Sequence, residues 1–446
     1  MSYSKLISCA IHGSIRVSPL ALRIINTPEF QRTRHIKQLG LCYYVYPAAT
    51  HNRFAHALGV YHLAGKVIEN LRLNYPSKLY DIPEYGGKTM LTSHISEMIK
   101  IAGLCHDIGH GPFSHIFDDV LLKNSTSENK THEKRSKLII EMICKRDLSD
   151  VISDSDINFI QNIIDPDEKC TGAIYQIISN HLNGIDVDKF DYLARDPYTL
   201  NLCDRFDHMR LISEIIIDNN GNIAYPKHSS MDVVQMFYTR YTMHKKVYSH
   251  KTVKLLECML TDIFKKIDPI FNLSEYIEDM SKFCKLTDDS IFHMIDSVIN
   301  PSPFMQINMT DTEIKDITDA SNIYNRMLSR DLYKIISEST SDKISYYNEF
   351  INWMKLRYIN FDDKSVGIFK IKAGFVSGSA DPFDNVYFYD KKENNNTFTI
   401  DKTKISPILS GNIHEIRTFF YSTDPYKVSF LKDHLEIYQL SKSNDS

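Results

Sequence analysis

The sequence predicts a mainly α-helical protein with a smaller C-terminal lobe of mixed α and β structure. Over most of the chain, apolar residues recur at helical spacing, as from Asn52 to Leu71 and from Leu91 to Cys105. From about residue 341 the pattern changes to short strand-like segments around a polar turn. We therefore predict a helical core over residues 1–340 and an α+β lobe over residues 341–446.

Composition limits the classes of protein to consider. The 446 residues are 43% hydrophobic with a net charge of −4, so no broad basic surface for nucleic acid is expected. Eight scattered cysteines form no short, regular framework, which is typical of reduced thiols in a cytosol-like compartment. No signal pattern begins the chain and no apolar run is long enough for a transmembrane helix. We expect a cytoplasmic protein, in the host cytoplasm if it is viral, without membrane partners.

The remaining elements follow from helical spacing, prolines and turn residues. The proline- and glycine-rich segment 75–88 is expected to be a loop, and a short hairpin is expected over residues 211–225. Helices are predicted over residues 19–25, 28–39, 132–145, 154–164, 171–182 and, as one long helix, 231–266. Strands are predicted over residues 366–371, 385–389 and 397–400, and a helix over 412–420.

The stretch from Leu104 to Asp118 concentrates three histidines and two aspartates within a few residues of two glycines and a proline. Such punctuation predicts a tight, irregular connection between a helix that ends near Cys105 and a new helix that opens near Pro112. At a helix end, the neighbours His106 and Asp107 can both turn toward one ion. Loops of this kind commonly carry functional sites.

Four side chains are candidate metal ligands: His56, His106, Asp107 and Asp188. If they converge, two imidazoles and two carboxylates form a ligand set without thiolate. Such a set suits manganese, iron, magnesium or a catalytic zinc better than a structural zinc. The like charges that crowd around Asp188 also require a nearby cation.

The other histidines of this region are candidates for proton transfer. His110, His115 and His132 titrate near neutral pH when unperturbed, and Asp118 can orient one of them. His12, His51 and His250 are not expected to be catalytic.

Three cations accompany the candidate ligands. Arg53 and Lys189 lie within one helical turn of proposed ligands, and Arg240 lies on the predicted long helix. Three fixed cations near a metal favour a triphosphate over a monophosphate.

These residues carry a resemblance to the HD-domain phosphohydrolases. The longer motifs resemble one branch closely, the sterile-alpha-motif and HD-domain deoxynucleoside triphosphate (dNTP) triphosphohydrolases, although no sterile-alpha-motif module is expected here. The resemblance covers essentially the whole chain. The matching motifs are Thr27-Pro28, Gln38–Gly40, His51–Phe54, His106–His115, Asp188–Asp196 and Tyr248–Lys251.

The resemblance implies an HD-domain catalytic core, a regulatory or oligomerising C-terminal lobe, and a role for each matching residue. It implies a divalent metal on His56, His106, Asp107 and Asp188. It implies catalytic roles for His110, His115, His132 and Asp118. It implies dNTP binding by Gln38, Leu39, Arg53, Lys189, Tyr192, Asp196, Arg240 and Tyr248, with Tyr192 excluding a 2′-hydroxyl.

The reaction implied is attack of metal-activated water at the α-phosphorus, which releases deoxynucleoside and intact triphosphate. This is chemically sensible because a metal lowers the pKa of water and an imidazolium can protonate the 5′-alkoxide. Among the histidines, we favour His115 as that acid.

The resemblance further implies a homo-oligomer, dimer or tetramer, that binds activating nucleotides between subunits. Guanine is selected in the family by a carboxylate whose matching position here is Asn26, an amide that lacks the charge for guanine's donors. We therefore expect altered nucleotide control with catalysis intact. The residues matching the regulatory pockets are Lys5, Asn26, Gln31, Arg34, Arg210, Lys251, Arg330 and Lys391.

Two alternatives stay open from the residues alone. The same fold and metal could serve a phosphodiesterase or nuclease, against which the three cations argue. A non-catalytic scaffold that binds nucleic acid is the other alternative, and the acidic overall charge argues against it.

Overall fold

A computed structural model describes residues 3–202, 206–301, 309–375, 381–392, 396–410 and 414–444. Its helices are α1 (Pro19–Ile25), α2 (Pro28–Gln31), α3 (Arg53–Asn74), α4 (Ser93–Cys105), α5 (His132–Asp147), α6 (Asp154–Ile164), α7 (Val187–Leu200), α8 (His208–Glu214), α9 (Ser230–Met243), α10 (Lys251–Phe271), α11 (Met280–Phe283), α12 (Asp288–Ile299), α13 (Asp311–Leu328), α14 (Ile344–Arg357), α15 (Lys402–Ile405) and α16 (Val428–Asn444).

The strands are short and form small sheets. They are β1 (Lys5–Cys9), β2 (Gly13–Val17), β3 (Leu79–Ile82), β4 (Gly87–Met90), β5 (Ile216–Ile217), β6 (Ile223–Pro226), β7 (Lys334–Ser339), β8 (Val366–Gly374), β9 (Tyr387–Tyr389), β10 (Thr397–Thr399) and β11 (His414–Ser422). The prediction of a mainly helical protein with a smaller α+β part is confirmed.

Contacts divide the chain into two compact units, each discontinuous in sequence. The first comprises Met1–Met243, Phe271–Met294 and Ala380–Ser410, and the second His244–Ile270, Ile295–Ser379 and Gly411–Ser446. This grouping differs from the single boundary expected near residue 340. One reason is that β9, late in the chain, pairs in parallel with β6 of the first unit.

Three helices organise the first unit, with α3 packed against both α4 and α7. Each helix begins at a side chain that caps its first turn: Asn52 accepts from the Ala55 N–H, Thr92 from Ile95 and Asp186 from Lys189. Such caps satisfy backbone N–H groups that lack helical partners and fix where the helix begins. The start of α3, the end of α4 and the start of α7 therefore have defined positions.

The second unit has its own core. An antiparallel sheet in the order β7-β11-β8 packs with α14 and α16. The buried cluster includes Phe350 and Met354 of α14, Phe420 of β11 and Leu431 of α16. This unit can thus bury an apolar interior independently of the first.

Three expectations in the first unit were wrong. Residues 75–88 include the strands β3 and β4, whose turn is made possible by positive φ at Gly86 and Gly87. Residues 171–182 form successive turns, since Asn180 uses its side chain to accept the Leu182 N–H. No regular helix opens at Pro112, because turns continue to a single π-helical turn over Phe117–Leu121.

Three further expectations differ from the structure. The long helix predicted over residues 231–266 is interrupted after α9 by a π-helical turn and resumes as α10. In this turn the Ser249 N–H donates to the carbonyl of His244 at 2.9 Å. The hairpin expected over residues 211–225 begins later than predicted, because residues 208–214 form helix α8. The helix predicted over 412–420 is strand β11 from His414 onward, where β-branched and aromatic side chains suit the centre of a sheet; residues 412 and 413 lie outside the described residues.

In the described part of the chain, no helix combines the length and the apolar composition needed to cross a bilayer.

Candidate active site

The loop after α4 approaches its neighbours too closely for ordinary side chains. A Cβ on Gly109 would lie 2.2 Å from the carbonyl oxygen of His132, and one on Gly111 would lie 2.4 Å from the ring of Phe117. The next residues, Phe113 and Ser114, adopt φ of 58° and 59°. Consecutive left-handed residues other than glycine are costly and persist only where the surroundings hold them.

Two buried side chains hold this loop. Asp288 accepts the backbone N–H of Phe113 at 2.7 Å and that of Lys37 at 2.9 Å. Arg32, 4% exposed, donates to the carbonyls of Ile108 and His110 at 3.2 and 2.7 Å and to that of Leu286. The loop is therefore fixed through its backbone by Arg32 and Asp288.

The candidate metal ligands converge at the helix ends. His56 Nε2 lies 3.0 Å from Asp188 Oδ1 and 3.6 Å from Asp107 Oδ2. His106 Nε2 lies 3.5 Å from Asp188 Oδ1 and 3.4 Å from Asp107 Oδ1. Both Nε2 atoms are buried, and within the described residues neither makes a hydrogen bond.

This arrangement fits a divalent cation. Two buried imidazole nitrogens without hydrogen-bond partners are costly unless a ligand takes them, and two carboxylates face them. Burial lowers the pKa of His56, but the adjacent carboxylates of Asp188 and Asp191 outweigh burial and raise the pKa to about 10. The site therefore attracts positive charge.

A second histidine group adjoins the first through Asp107. His110 Nε2 lies 3.3 Å from Asp107 Oδ1, and the rings of His110 and His132 stack at 3.8 Å. The ring of His115 stands edge-on to His110 at 5.3 Å. His110 is buried, whereas His115 is exposed, so His115 can meet a bound molecule.

Asp118 holds His132. Its carboxylate accepts from the backbone N–H and from Nδ1 of His132, both at 3.1 Å. Arg135, fully buried, also donates to it. Burial alone would raise the pKa of Asp118, but His132 and Arg135 outweigh burial and lower it, so the carboxylate stays ionised at neutral pH.

Arg53, Lys189 and Tyr192 of the first unit have the following surroundings. Arg53 donates to Asp107 and, at 3.0 Å, to Ser114, while Lys189 lies 2.9 Å from Asp186. Burial raises the pKa of Tyr192, and the charges of Arg240 and Lys189 partly offset that rise. The phenol therefore lies near both cations.

Four other residues were predicted to bind the substrate: Gln38, Leu39, Asp196 and Tyr248. Gln38 keeps a buried Oε1 that has no hydrogen-bond partner among the described residues, and half-buried Leu39 follows it. Asp196 pairs with His51 at 2.8 Å. Tyr248 belongs to the second unit, where its ring stands edge-on to His244, so its role stays a prediction.

The residues matching regulatory pockets lie in both units. Exposed Asn26 ends α1, and nearby Gln31 donates to the carbonyl of Ile25 and accepts from Arg34 at 2.8 Å. Lys391 pairs with Glu214 at 3.0 Å. The others are placed as follows: Lys5 begins β1, Arg210 lies on α8, 3.5 Å from Asp232, and Lys251 and Arg330 belong to the second unit.

Sequence reasoning missed the groups that support the site. In the sequence, Asp191 is only one of several acids near Asp188, yet in the structure it is fully buried beside His56. Its cation is Arg195, one turn later on α7. That four-residue spacing was the available signal. Nothing in the sequence pointed to Arg32 or Asp288, because their partners are distant backbone groups.

Comparisons with known proteins agree with this geometry. The HD domain family model matches residues 53–207. An HD domain-containing protein of Acanthamoeba polyphaga mimivirus is 52% identical over 425 residues, covering 95% of this chain and 93% of that protein. The "Deoxynucleoside triphosphate triphosphohydrolase SAMHD1 homolog" of Dictyostelium discoideum is 31% identical, covering 93% of this chain and 76% of its own length.

The chain belongs to the SAMHD1 family of HD-domain proteins. The human deoxynucleoside triphosphate triphosphohydrolase SAMHD1 is 32% identical over 469 residues, covering 94% of this chain and 71% of that protein. All four candidate metal ligands lie within the HD match. HD domains bind divalent metals, so family and geometry both point to a metal at this site.

Proposed function

We propose that this chain is a metal-dependent dNTP triphosphohydrolase. It cleaves a dNTP to deoxynucleoside and inorganic triphosphate, by attack of water at the α-phosphorus. The observation that carries the proposal is the convergence of the His56 and His106 Nε2 atoms on Asp188. A second group of histidines, suited to proton transfer, lies directly beside them.

The metal would be held by His56, His106, Asp107 and Asp188. When bound, it lowers the pKa of water and neutralises charge on the α-phosphate. The ligand set of nitrogen and oxygen donors without thiolate suits iron, manganese, magnesium or a catalytic zinc.

His110, His132 and Asp118 are assigned to proton handling near the attacking water. Burial and the nearby Arg53 and His132 lower the pKa of His110 well below its usual value, so its imidazole is neutral at pH 7 and can accept a proton. Asp118 fixes the orientation of His132. A held imidazole needs little reorganisation during the reaction.

We assign His115 as the acid that protonates the leaving 5′-oxygen. Although solvent reaches its side chain, the protein packed around His115, with the nearby Arg53 and His132, lowers its pKa to about 4. An adjacent α-phosphate opposes this shift because a negative charge favours the imidazolium. Substrate would therefore charge His115 where a proton is needed.

Three cations are assigned to the phosphates. Arg53, Lys189 and Arg240 distinguish a triphosphate from a phosphodiester, because several phosphate groups are needed to engage them. Tyr192 and Asp196 are assigned to the deoxyribose, with the Tyr192 ring leaving no room for a 2′-hydroxyl. Gln38 and Leu39 would meet the sugar and base.

Nucleotide control is proposed to be weaker or altered. The amide of Asn26 cannot offer guanine the charged acceptor that a carboxylate provides. In the first unit, Lys391 is already paired with Glu214, which also lies 2.8 Å from His228. A bound nucleotide would have to compete with that carboxylate for the cation.

A chromatographic product assay tests the function. Each dNTP, with GTP as a control, is incubated with the wild-type chain and the products are identified. The proposal expects deoxynucleoside and triphosphate in equal amounts from dNTPs and neither product from GTP. Release of inorganic phosphate or of mononucleotides would favour a phosphodiesterase or nuclease instead.

A matched pair of variants ties the activity to the site. His106→Ala with Asp107→Ala is expected to abolish product formation, while His181→Ala, which alters an exposed histidine, is expected to retain it. If the double variant kept full activity, the assignment of the site would be wrong.

A further inference from the structure

We propose that His12, acting through Asp191, is a positioning residue for the metal ligand His56. The inference rests on the metal site of the proposed function. It assigns a role to the N-terminal hairpin, from which no metal ligand comes.

Asp191 is the centre of the arrangement. Its side chain is fully buried, and its two oxygens take four contacts. Oδ2 lies 2.7 Å from His56 Nδ1 and 2.8 Å from Arg195 Nε, while Oδ1 lies 2.7 Å from His12 Nε2 and 2.8 Å from Arg195 Nη2. The carboxylate is thus held on both edges and cannot rotate without losing contacts.

This carboxylate fixes which nitrogen of His56 faces the site. An ionised carboxylate only accepts hydrogen bonds, so the His56 nitrogen that meets it, Nδ1, must carry the proton. The lone pair of neutral His56 is then on Nε2, the atom that lies 3.0 Å from Asp188. Metal-binding histidines generally require such a partner for the ring to keep its tautomer and direction.

His12 comes from the turn between β1 and β2, 179 residues from its partner in sequence. Its side chain is only 3% exposed, so the contact with Asp191 is shielded from water. The approach of α7 to α3 is very close, since a Cβ on Gly59 would lie 1.8 Å from Asp191 Oδ1. Glycine at this position lets Asp191 reach both histidines.

Since His12 and Arg195 share the Oδ1 edge, removing His12 leaves Oδ1 with Arg195 alone and weakens the hold on the carboxylate that orients His56. The ring of His56 would then be less constrained, and the metal would bind more weakly. The hairpin that also carries Lys5 is therefore part of the support of the metal site.

Direct titration of metal-free protein with Mn²⁺ by calorimetry tests this. His12→Ala is expected to raise the Kd for Mn²⁺ by about tenfold, the usual scale for an outer hydrogen-bond partner of a ligand. His12→Gln is expected to restore near wild-type affinity, because its amide nitrogen can occupy the place of Nε2 and donate to Asp191. His94→Ala is the matched control, since His94 pairs with Asp156 at 2.6 Å elsewhere in the first unit, and is expected to bind as wild type.

The outcomes separate the inference from the function it rests on. Wild-type protein that bound none of Mn²⁺, Fe²⁺, Mg²⁺ and Zn²⁺ would overturn both. Wild-type affinity in folded His12→Ala would overturn the inference alone. Should His12→Ala fail to fold, His12→Asn is compared with His12→Gln. The shorter amide cannot reach Asp191, so equal Kd values for these two would also overturn the inference.

Discussion

At the scale of single residues, the candidate site combines exposed and buried groups of opposite charge in a small volume. Asp107 illustrates this, since Arg53 donates to it, His110 lies 3.3 Å from it and it faces both ligand imidazoles. Burial would raise its pKa, but these positive neighbours lower it well below the usual value. The carboxylate remains charged and available to a cation.

Asp118 gives a residue-scale prediction. Asp118→Asn removes the charge that holds His132 and leaves buried Arg135 without its ionic partner. We expect kcat to fall by about 10- to 100-fold with little change in KM, because orienting a proton-transfer group acts mainly on the chemical step. Steady-state kinetics measure this. Asp119→Asn, which alters the exposed neighbouring acid, should match wild type, and an equal loss in both variants would contradict the assignment.

At the scale of elements, the loop after α4 depends on its supports. Phe113 and Ser114 hold left-handed backbone conformations that cost about 1–3 kcal/mol each. Asp288, at the first residue of α12, compensates by accepting two backbone N–H groups. The support therefore comes from a helix far along the chain.

Asp288→Ala is expected to lower the free energy of unfolding by about 1–3 kcal/mol, since two buried N–H groups lose their acceptor. It is also expected to lower kcat, because the loop that presents His115 loses a fixed point. Urea unfolding and kinetics measure the two effects. Asp289→Ala, at the exposed next residue, is the control, and unchanged stability in Asp288→Ala would contradict this account of the loop.

The same elements show what a sequence can predict. The helices α3, α4, α5 and α6 and the loop after α4 follow from apolar spacing and turn residues, which are local signals. The π-helical turns, the strand β11 and the contacts of Arg32 depend on tertiary partners. Local patterns do not contain that information, so these features were missed or predicted wrongly.

For the candidate site, the sequence named the groups that meet at one place but not their supports. His56, His106 and Asp188 converge as residue types and motifs indicated. The roles of Asp191 and His12 could not be found, because the spacing of 179 residues between them carries no local signal.

At the scale of the whole molecule, half-buried neutral histidines make stability depend on pH. Burial lowers the pKa of both His62 and His208 to about 4. In the unfolded chain these two rings bind protons near pH 6.5, whereas in the folded chain they do not, so their contribution makes stability fall as pH decreases from about 6.5 to 4. Each residue contributes up to about 1.4 kcal/mol per pH unit in that window.

Urea unfolding of metal-free protein across this pH range measures the effect. His208→Gln should reduce the change in the free energy of unfolding with pH by the contribution of one histidine. A wild-type free energy of unfolding that stayed constant between pH 6.5 and 4 would contradict the lowered pKa of these rings.

Nucleotide control and assembly are also properties of the whole molecule. Allosteric coupling typically amounts to about 5- to 150-fold. We expect GTP to increase dCTP turnover by less than about 5-fold, the lower end of that range, because Asn26 lacks a charged acceptor. Turnover with and without GTP or dGTP measures this, and strict dependence on GTP would contradict it.

The homo-oligomer stays a prediction, which the mass in solution with and without dNTP would test.

The central claim is that water attacks the α-phosphorus of a dNTP at the His56–His106–Asp188 site. Hydrolysis of dTTP in H₂¹⁸O, followed by mass spectrometry of both products, tests it most directly. The α-phosphorus–O5′ bond breaks in this reaction and the proton goes to O5′, so one ¹⁸O atom is expected in the triphosphate and none in the deoxynucleoside. Label in the deoxynucleoside, or label divided between monophosphate and diphosphate products, would contradict the account.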